Sequence, residues 1–281
     1  MTIAVCIWVP EGIVLASESR QVYKNEKQNY RIASEFGQKV FQLSAGVGGI
    51  TYGKAYISRK NIHSLTEEFK TTSKASGKDL DKASVGELAQ LVGEFLQNKL
   101  NDEMKSGSEQ TAQPTSLILG GYEKEINKIF EVSLPGPSII EISTSAKFWA
   151  VWRGQTDVIT RLLKGYDPRI GRLSWFQPSN SNELEKLSYI INFDTMTLQD
   201  AIDFAIFLIK TTIDMQRFSD GIMLDPGDIP GTGGPIDIAV IRPNKCFKWV
   251  QRKELRGETV SKLRQTRERF EILAPVQSKQ G

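Results

Sequence analysis

The chain has 281 residues, of which 40% are apolar, enough for one substantial core, and no shift in composition calls for two domains. Its 36 basic and 33 acidic residues give a net charge of +3, a balance that argues against nucleic-acid binding. It has neither a run of about 18 apolar residues, which a membrane helix needs, nor the basic segment followed by an apolar run of a signal peptide. We therefore expect a cytoplasmic protein with no membrane partner.

The first twenty residues predict a buried β-hairpin. An apolar run over Ile3–Val9 is followed by a turn at residues 10–12 and a second apolar run over residues 13–16. Thr2 stands directly before the first strand. Removal of Met1 would leave Thr2 with a hydroxyl nucleophile beside a free α-amine, whose pKa of about 8 suits a base at neutral pH. Thr2 is therefore a candidate nucleophile.

The next eighty residues predict a loop, a strand and two helices. Residues 21–31 are polar and indicate a loop, and residues 38–43 read as a strand. Apolar residues at helical spacing predict helices over about 52–69 and 83–104, with Ser84 as the N-cap of the second. Both helices should lie on one face of a sheet. The single histidine, His63, has polar neighbours and is interpreted as a surface residue.

The middle of the chain changes to short strands separated by turn residues. This spacing is typical of an antiparallel meander. The predicted strands cover residues 116–122, 128–132, 139–142 and 147–152.

The last part of the chain predicts two further helices and two final strands. One helix covers residues 154–165 and ends at a glycine, and the other runs from Thr197 to about Met215. The segment between them, residues 166–196, reads equally well as a partner surface, a lid or additional packing. Strands follow over residues 235–241 and 247–251. We expect one domain over residues 1–253, and a basic C-terminal helix and tail over residues 254–281.

Neither the cysteines nor the spaced aspartates predict a metal site. Cys6 and Cys246 form no metal-binding pattern and are expected to be small core residues. Asp220, Asp225 and Asp228 do not follow the order of a calcium-binding loop, so a turn-rich loop is the better interpretation. We predict no cofactor and no metal.

Three motifs carry a resemblance to a known family. Thr2 is followed by the hairpin ending in Leu-Ala-Ser-Glu-Ser-Arg at residues 15–20, and Gly-Gly-Pro-Ile-Asp-Ile-Ala-Val-Ile covers residues 233–241. The third motif is Lys39 at the start of a strand, followed by Ala-Gly-Val-Gly at residues 45–48. With these the chain resembles the proteasome-type N-terminal nucleophile (Ntn) hydrolases, in particular bacterial proteasome β-subunit-like proteins, over roughly residues 2–70 and 145–253.

The resemblance implies a fold and a set of site residues. The fold would be α+β, a four-layer αββα sandwich of two antiparallel sheets. The family pattern implies three catalytic residues, Thr2, Glu18 and Lys39, and four substrate-binding residues, Arg20, Gly46, Gly48 and Thr232. Gly46 would supply backbone donors to an oxyanion.

Several positions depart from that pattern. Glu18 stands where the family has aspartate, Thr232 replaces a serine, and Arg153 occupies a second serine position. The aspartate partner of Thr232 would be Asp228, one position out of register. Glu18 could therefore pair with Arg153 or Arg20 instead of Lys39, and Lys39 could be an ordinary strand residue with its ammonium in solvent.

Three functions remain open at this stage. The first is a threonine amidohydrolase or peptidase that cleaves peptide bonds through an acyl-enzyme on Thr2. The second is a non-catalytic assembly subunit of the same fold, which the altered positions favour. The third is acyl transfer or ligation through the same intermediate. The expected partners are a peptide or protein substrate and further copies of the chain in a homo-oligomer.

Overall fold

The computed structural model describes residues 2–24, 30–105, 114–144, 147–177, 181–226, 230–244 and 246–254. Most of the predicted C-terminal helix therefore lies outside the described residues, and so does Asp228. Within the described ranges, no helix is long and apolar enough to cross a membrane.

Two sets of elements make up this part of the chain. The helices are α1 (Ile62–Ala75), α2 (Val85–Lys105), α3 (Asp157–Lys164), α4 (Ser181–Glu185) and α5 (Leu198–Phe218). The strands are β1 (Ile3–Val9), β2 (Gly12–Glu18), β3 (Gln21–Lys24), β4 (Tyr30–Ser34), β5 (Val40–Ser44), β6 (Val47–Gly53), β7 (Tyr56–Ile57), β8 (Lys60–Asn61), β9 (Thr115–Glu123), β10 (Ile126–Leu134), β11 (Ser138–Glu141), β12 (Trp149–Gly154), β13 (Gly221–Ile222), β14 (Asp225–Pro226), β15 (Ile236–Arg242) and β16 (Cys246–Gln251).

Two five-stranded antiparallel sheets form the centre of the molecule. The first has the order β12-β1-β2-β15-β16, and the second has the order β11-β10-β9-β6-β5. In the first sheet β1 is paired on both sides, so that Ile3 faces Gly154 on one neighbour and Ala4 faces Ser17 on the other. The N-terminal strand is thus an interior strand, which fixes the position of the residue that precedes it.

Side chains alternate between two apolar clusters along β1, as the period of a strand requires. Ile3 and its alternate neighbours pack towards α3 and α5, whereas Ala4, Cys6 and Trp8 pack against the second sheet. A third cluster lies between the second sheet and the helices α1 and α2. Burial raises the pKa of the Cys6 thiol, in agreement with its predicted role as a small core residue.

The predicted helix ends agree with the local sequence in three places. At α2, Ser84 Oγ accepts the N–H of Glu87, and the Glu87 carboxylate accepts the N–H of Ser84. Thr197 and Asp200 form the same reciprocal cap at the start of α5. Gly165 ends α3 in the left-handed conformation, with φ of 74°.

The predicted fold class is corrected by the observed architecture. The described chain is a mixed α/β structure with five antiparallel sheets, three of which have only two strands, and it is not a plain four-layer αββα sandwich of two sheets. The additional strands arise in segments that were predicted differently. The sequence predicts a loop over residues 21–31, but β3 and β4 pair with each other because Val22, Tyr23 and Ile32 are good strand residues.

Helix α1, which packs against the second sheet, also begins later than predicted. Strand β6 continues to Gly53, and the small β7–β8 hairpin then turns through Ser58 and Arg59, both of which have positive φ. Asn61 caps α1 by accepting the N–H of Ser64 at 2.7 Å, so the helix starts at Ile62 and not near residue 52. This shift determines which residues surround Lys39.

Candidate functional site

A buried ion pair joins the ends of two strands from different sheets. Glu18 ends β2 in the first sheet, and Lys39 lies immediately before β5 in the second. The ammonium of Lys39 donates to Glu18 Oε1, and their side chains are 4% and 0% exposed. The Lys39 Nζ also donates to the carbonyl of Arg20 at 2.6 Å. Lys39 is therefore buried, and the alternative of a solvent-facing strand lysine is wrong.

Burial lowers the pKa of Lys39 from the ordinary lysine value, and the Glu18 carboxylate opposes that change. The positive charges of Lys253 and Arg20 act in the same direction as burial. A lysine whose pKa is lowered loses its proton at a lower pH than an ordinary lysine. This is the property that a base at this position would require.

Both oxygens of the Glu18 carboxylate accept backbone N–H groups in addition to the lysine. Oε1 accepts the N–H of Ile3 at 3.3 Å, and Oε2 accepts those of Arg20 at 2.7 Å and Gly233 at 3.2 Å. The longer side chain of glutamate thus reaches all three backbone segments. Since Ile3 directly follows Thr2, these bonds hold the carboxylate next to the N-terminal end of β1.

Thr2 lies at that end and is 4% exposed. Its carbonyl accepts the N–H of Gln155 at 2.6 Å, and alternation along β1 directs its side chain towards the space between the sheets. Thr2 and Lys39 line the same cavity, whose volume of about 10 Å³ has room for about one water molecule. The structure therefore brings together the three predicted catalytic residues, Thr2, Glu18 and Lys39.

Arg20 and Thr232 hold the loop that precedes β15. Arg20 Nε donates to Glu35, and its Nη1 donates to the carbonyl of Pro230 at 2.8 Å. The N–H and hydroxyl of Thr232 both donate to Gln216 Oε1, at 2.9 and 2.8 Å. The next residue in this loop, Gly233, is a donor to Glu18, so these contacts position the carboxylate. The substrate-binding roles of Arg20 and Thr232 stay predictions.

The comparisons with known proteins bear on the fold. One similar solved structure is described as the helical assembly of the Anbu complex from Pseudomonas aeruginosa, with 16% identity, a TM-score of 0.57, and coverage of 99% of this chain and 100% of that chain. Another is Anbu (ancestral beta-subunit) from Yersinia bercovieri, with 16% identity, a TM-score of 0.52 and the same coverage. The chain has the fold of a proteasome-like subunit. No family model and no curated protein sequence match it.

These findings correct the family resemblance drawn from the motifs. The structural neighbours are Anbu proteins, which are proteasome-like but distinct, and no family model supports assignment to the Ntn hydrolases. In this proteasome-like fold the motifs lie where the last residue of β2 meets the residues that precede β5 and β15. At 16% identity the likeness extends to the fold and does not establish catalysis.

Arg153 is paired within this proteasome-like fold, but not with Glu18. Its guanidinium binds both oxygens of Glu131, at 2.6 and 2.9 Å, and the Tyr52 hydroxyl donates to the same carboxylate. Burial and the Glu131 carboxylate raise the pKa of Tyr52 to about 12. The suggested competition of Arg153 with Lys39 for Glu18 is therefore wrong, since Arg153 has a carboxylate of its own.

Gly46 and Gly48 lie away from the cavity that Thr2 lines. They follow β5, whereas Lys39 precedes it, and five strand residues span about 16 Å. Gly48 packs against Phe247 and Leu15. Gly53, which has a φ of 89°, lines the Thr2 cavity instead. The predicted roles of Gly46 and Gly48 stay predictions.

Sequence reasoning missed eight of the residues that line the cavity with Thr2 and Lys39. They are Gln21, Gln38, Thr51, Tyr52, Gly53, Lys54, Ala55 and Ile62. The signal for Thr51, Tyr52 and Gly53 is present in the run Val-Gly-Gly-Ile-Thr-Tyr-Gly at residues 47–53, a strand pattern that the sequence analysis divides between a turn and a helix. Among the described residues, no three His, Cys, Asp or Glu side chains are grouped so that they could hold a metal ion.

Proposed function

We propose that this chain is an assembly-forming subunit of proteasome fold. The observation that supports this best is the likeness over nearly the whole chain to an Anbu structure described as a helical assembly. The small cavity at Thr2 agrees with a subunit whose site is closed in this state, since a space for one water admits no substrate side chain. Several large apolar side chains are also strongly exposed, with Ile190 at 99% and Met223 at 96%.

This proposal predicts that the purified protein forms oligomers. We expect sedimentation velocity, measured over a hundredfold range of concentration, to give a main species several times heavier than one chain. Negative-stain images of that species should show regularly repeated subunits. A single-chain mass over the whole concentration range, without repeated particles, would contradict an assembly role.

The second candidate function is threonine amidohydrolysis, supported by the placement of Thr2 beside the buried Lys39–Glu18 pair. After removal of Met1, the Thr2 hydroxyl would attack a substrate carbonyl and form an acyl-enzyme. Its own α-amine or neutral Lys39 would accept the hydroxyl proton and later return it to the leaving amine. Glu18 would hold the lysine and the backbone at Ile3.

This chemistry predicts that a processed N-terminus reacts with an electrophile. Intact mass should show loss of Met1, and incubation with a β-lactone should add one label per chain. We expect Thr2→Ala to reduce labelling at least a hundredfold, because it removes the attacking oxygen. Ser19→Ala is the matched control, since it removes a buried hydroxyl for which no hydrogen bond is found in the described part of the chain.

Two results would remove amidohydrolysis from consideration. One is a native protein that retains Met1, since the α-amine of Thr2 would then be an amide. The other is labelling that persists in Thr2→Ala at the rate of Ser19→Ala. Either result would leave the assembly role intact, because sedimentation measures that role without any reaction at Thr2.

A further inference from the structure

Thr2, Glu18 and Lys39 are together called the N-terminal site. A second and much larger cavity lies beside it. Its volume is about 970 Å³, and it is formed by the start of α3, the C-terminal half of α5 and the β13–β14 hairpin. This volume is at the upper end of the range for ligand sites and can hold a short peptide. We call it the helix-side cavity. It is separate from the space between the sheets, which Thr2 and Lys39 line.

Four hydrogen bonds join the wall of the helix-side cavity to the N-terminal site or to the loop beside it. Gln155, which lines the cavity, donates its N–H to the carbonyl of Thr2. Gln216, also in the wall, accepts from Thr232, and the carbonyl of Pro230 accepts from Arg20. One layer of residues therefore separates a ligand in this cavity from the main chain of Thr2.

The lining indicates the chemistry of the ligand. Val158, Leu162, Met215, Ile222 and Met223 supply an apolar wall. The two methionines are 50% and 96% exposed, and flexible thioether side chains adapt to ligands of different shape. An apolar wall of this kind favours a ligand whose own side chains are uncharged.

The polar groups of the lining are neutral or paired. Gln155, Thr156, Gln216 and Ser219 offer amide and hydroxyl groups, which match the amides of a peptide main chain. The two arginines of the wall are held by carboxylates. Arg161 binds Asp167 at 2.6 Å, and Arg169 binds Asp167 at 3.0 Å and Asp157 at 3.6 Å. The cavity therefore carries no surplus of charge that would select an acidic ligand.

We propose that the helix-side cavity binds an extended, uncharged and mainly apolar segment of a polypeptide, whose continuation reaches Thr2. The part concerning Thr2 rests on the amidohydrolase candidate, whereas the binding itself does not. Main-chain amides of the segment bond to the glutamine and hydroxyl side chains of the wall, and its apolar side chains contact the methionines. The helix-side cavity thus supplies binding energy at a distance from the bond that reacts. The small space at Thr2 has no room for substrate side chains that could supply it.

The test measures binding in a protein that cannot react. Dye-labelled hexapeptides composed of Leu, Ala and Gly are titrated with Thr2→Ala protein, and fluorescence anisotropy gives the dissociation constant. We expect saturable binding that weakens at least tenfold when Met215→Asp and Met223→Asp are combined, because two carboxylates then enter the apolar wall. A hexapeptide in which Glu replaces the Leu residues should bind at least tenfold more weakly to the Thr2→Ala protein.

A matched control comes from the opposite side of the molecule. Met104→Asp introduces the same change on α2, at a methionine that is 44% exposed and outside the cavity wall, and it should leave binding unchanged. Absence of saturable binding, or equal binding by the double variant, would overturn the proposal. So would a double variant that dissociates the oligomer while peptide binding is retained, since the surface would then be a contact between copies. If the native protein is not labelled by the β-lactone but the Thr2→Ala protein binds the peptide as expected, the amidohydrolase candidate is removed and the binding proposal stands.

Discussion

Replacement of Glu18 by alanine should destabilise the protein by about 3–5 kcal/mol at pH 7, the range found when one partner of a buried ion pair is removed. The variant leaves the ammonium of Lys39 buried without its carboxylate. It also removes the acceptor for the N–H groups of Ile3, Arg20 and Gly233. Urea denaturation followed by circular dichroism measures the loss.

The loss should depend on pH in a defined direction. In the native protein burial already lowers the pKa of Lys39, and removal of Glu18 takes away the charge that opposes this change. When the folded-state pKa is below the unfolded-state value, the unfolded chain binds more protons between the two, so the free energy of unfolding rises with pH there. The deficit of Glu18→Ala should therefore shrink as the pH rises from 7 towards the ordinary lysine pKa of about 10.4.

The control for this experiment is a pair on the surface. Glu183 pairs with Lys186, and their side chains are 68% and 69% exposed, so Glu183→Ala should change stability by less than about 1 kcal/mol at either pH. If Glu18→Ala is no less stable than this control, or if its deficit grows with pH, the buried pair does not have the role described above.

Replacement of Gly154 by alanine should displace Thr2 and destabilise the protein by about 3 kcal/mol or more. Gly154 has a φ of 88°, which an L-residue adopts at a cost of about 1–2 kcal/mol. A Cβ atom there would also overlap the carbonyl oxygen of Thr2, which is backbone and cannot rotate away. The hydrogen bond between Gln155 N–H and Thr2 would then be lost, at roughly a further 1 kcal/mol.

Gly77 separates the two contributions to this loss. It has a φ of 75°, but a Cβ atom there would have no neighbour within 4 Å, so Gly77→Ala carries the backbone strain without the collision. We expect Gly77→Ala to cost only about 1–2 kcal/mol in the same urea titration. Equal losses in the two variants would show that contact with Thr2 is not what requires glycine at position 154.

Much of the secondary structure was predictable because local signals there agree with the final packing. The β1–β2 hairpin, the caps at Ser84 and Thr197 and the glycine end of α3 were read directly from residue type and spacing. The segment from Val47 to Arg59 was not. Residues 47–53 have a strand pattern, but its three glycines also indicate turns, and the strand is fixed by pairing with β5 and β9.

The proximity of Thr2, Glu18 and Lys39 was predictable because each lies at the end of a strand and has a distinctive residue type; their catalytic roles stay predictions. Residues that depend on three-dimensional pairing were not found from the sequence. Arg153 was one of two arginines that could have paired with Glu18, but it binds Glu131 on a strand of the other sheet, a contact between residues 22 positions apart. The helix-side cavity was also missed, because its walls come from three separate parts of the chain.

The interior position of β1 in the first sheet determines how slowly its backbone amide hydrogens exchange with solvent. Most chain ends fray, and their amide hydrogens exchange with solvent within seconds. Here the first strand is paired on both edges, and all seven of its residues are buried. Its amides should therefore exchange only when the whole domain opens, which places Thr2 at the edge of the most slowly exchanging part of the protein.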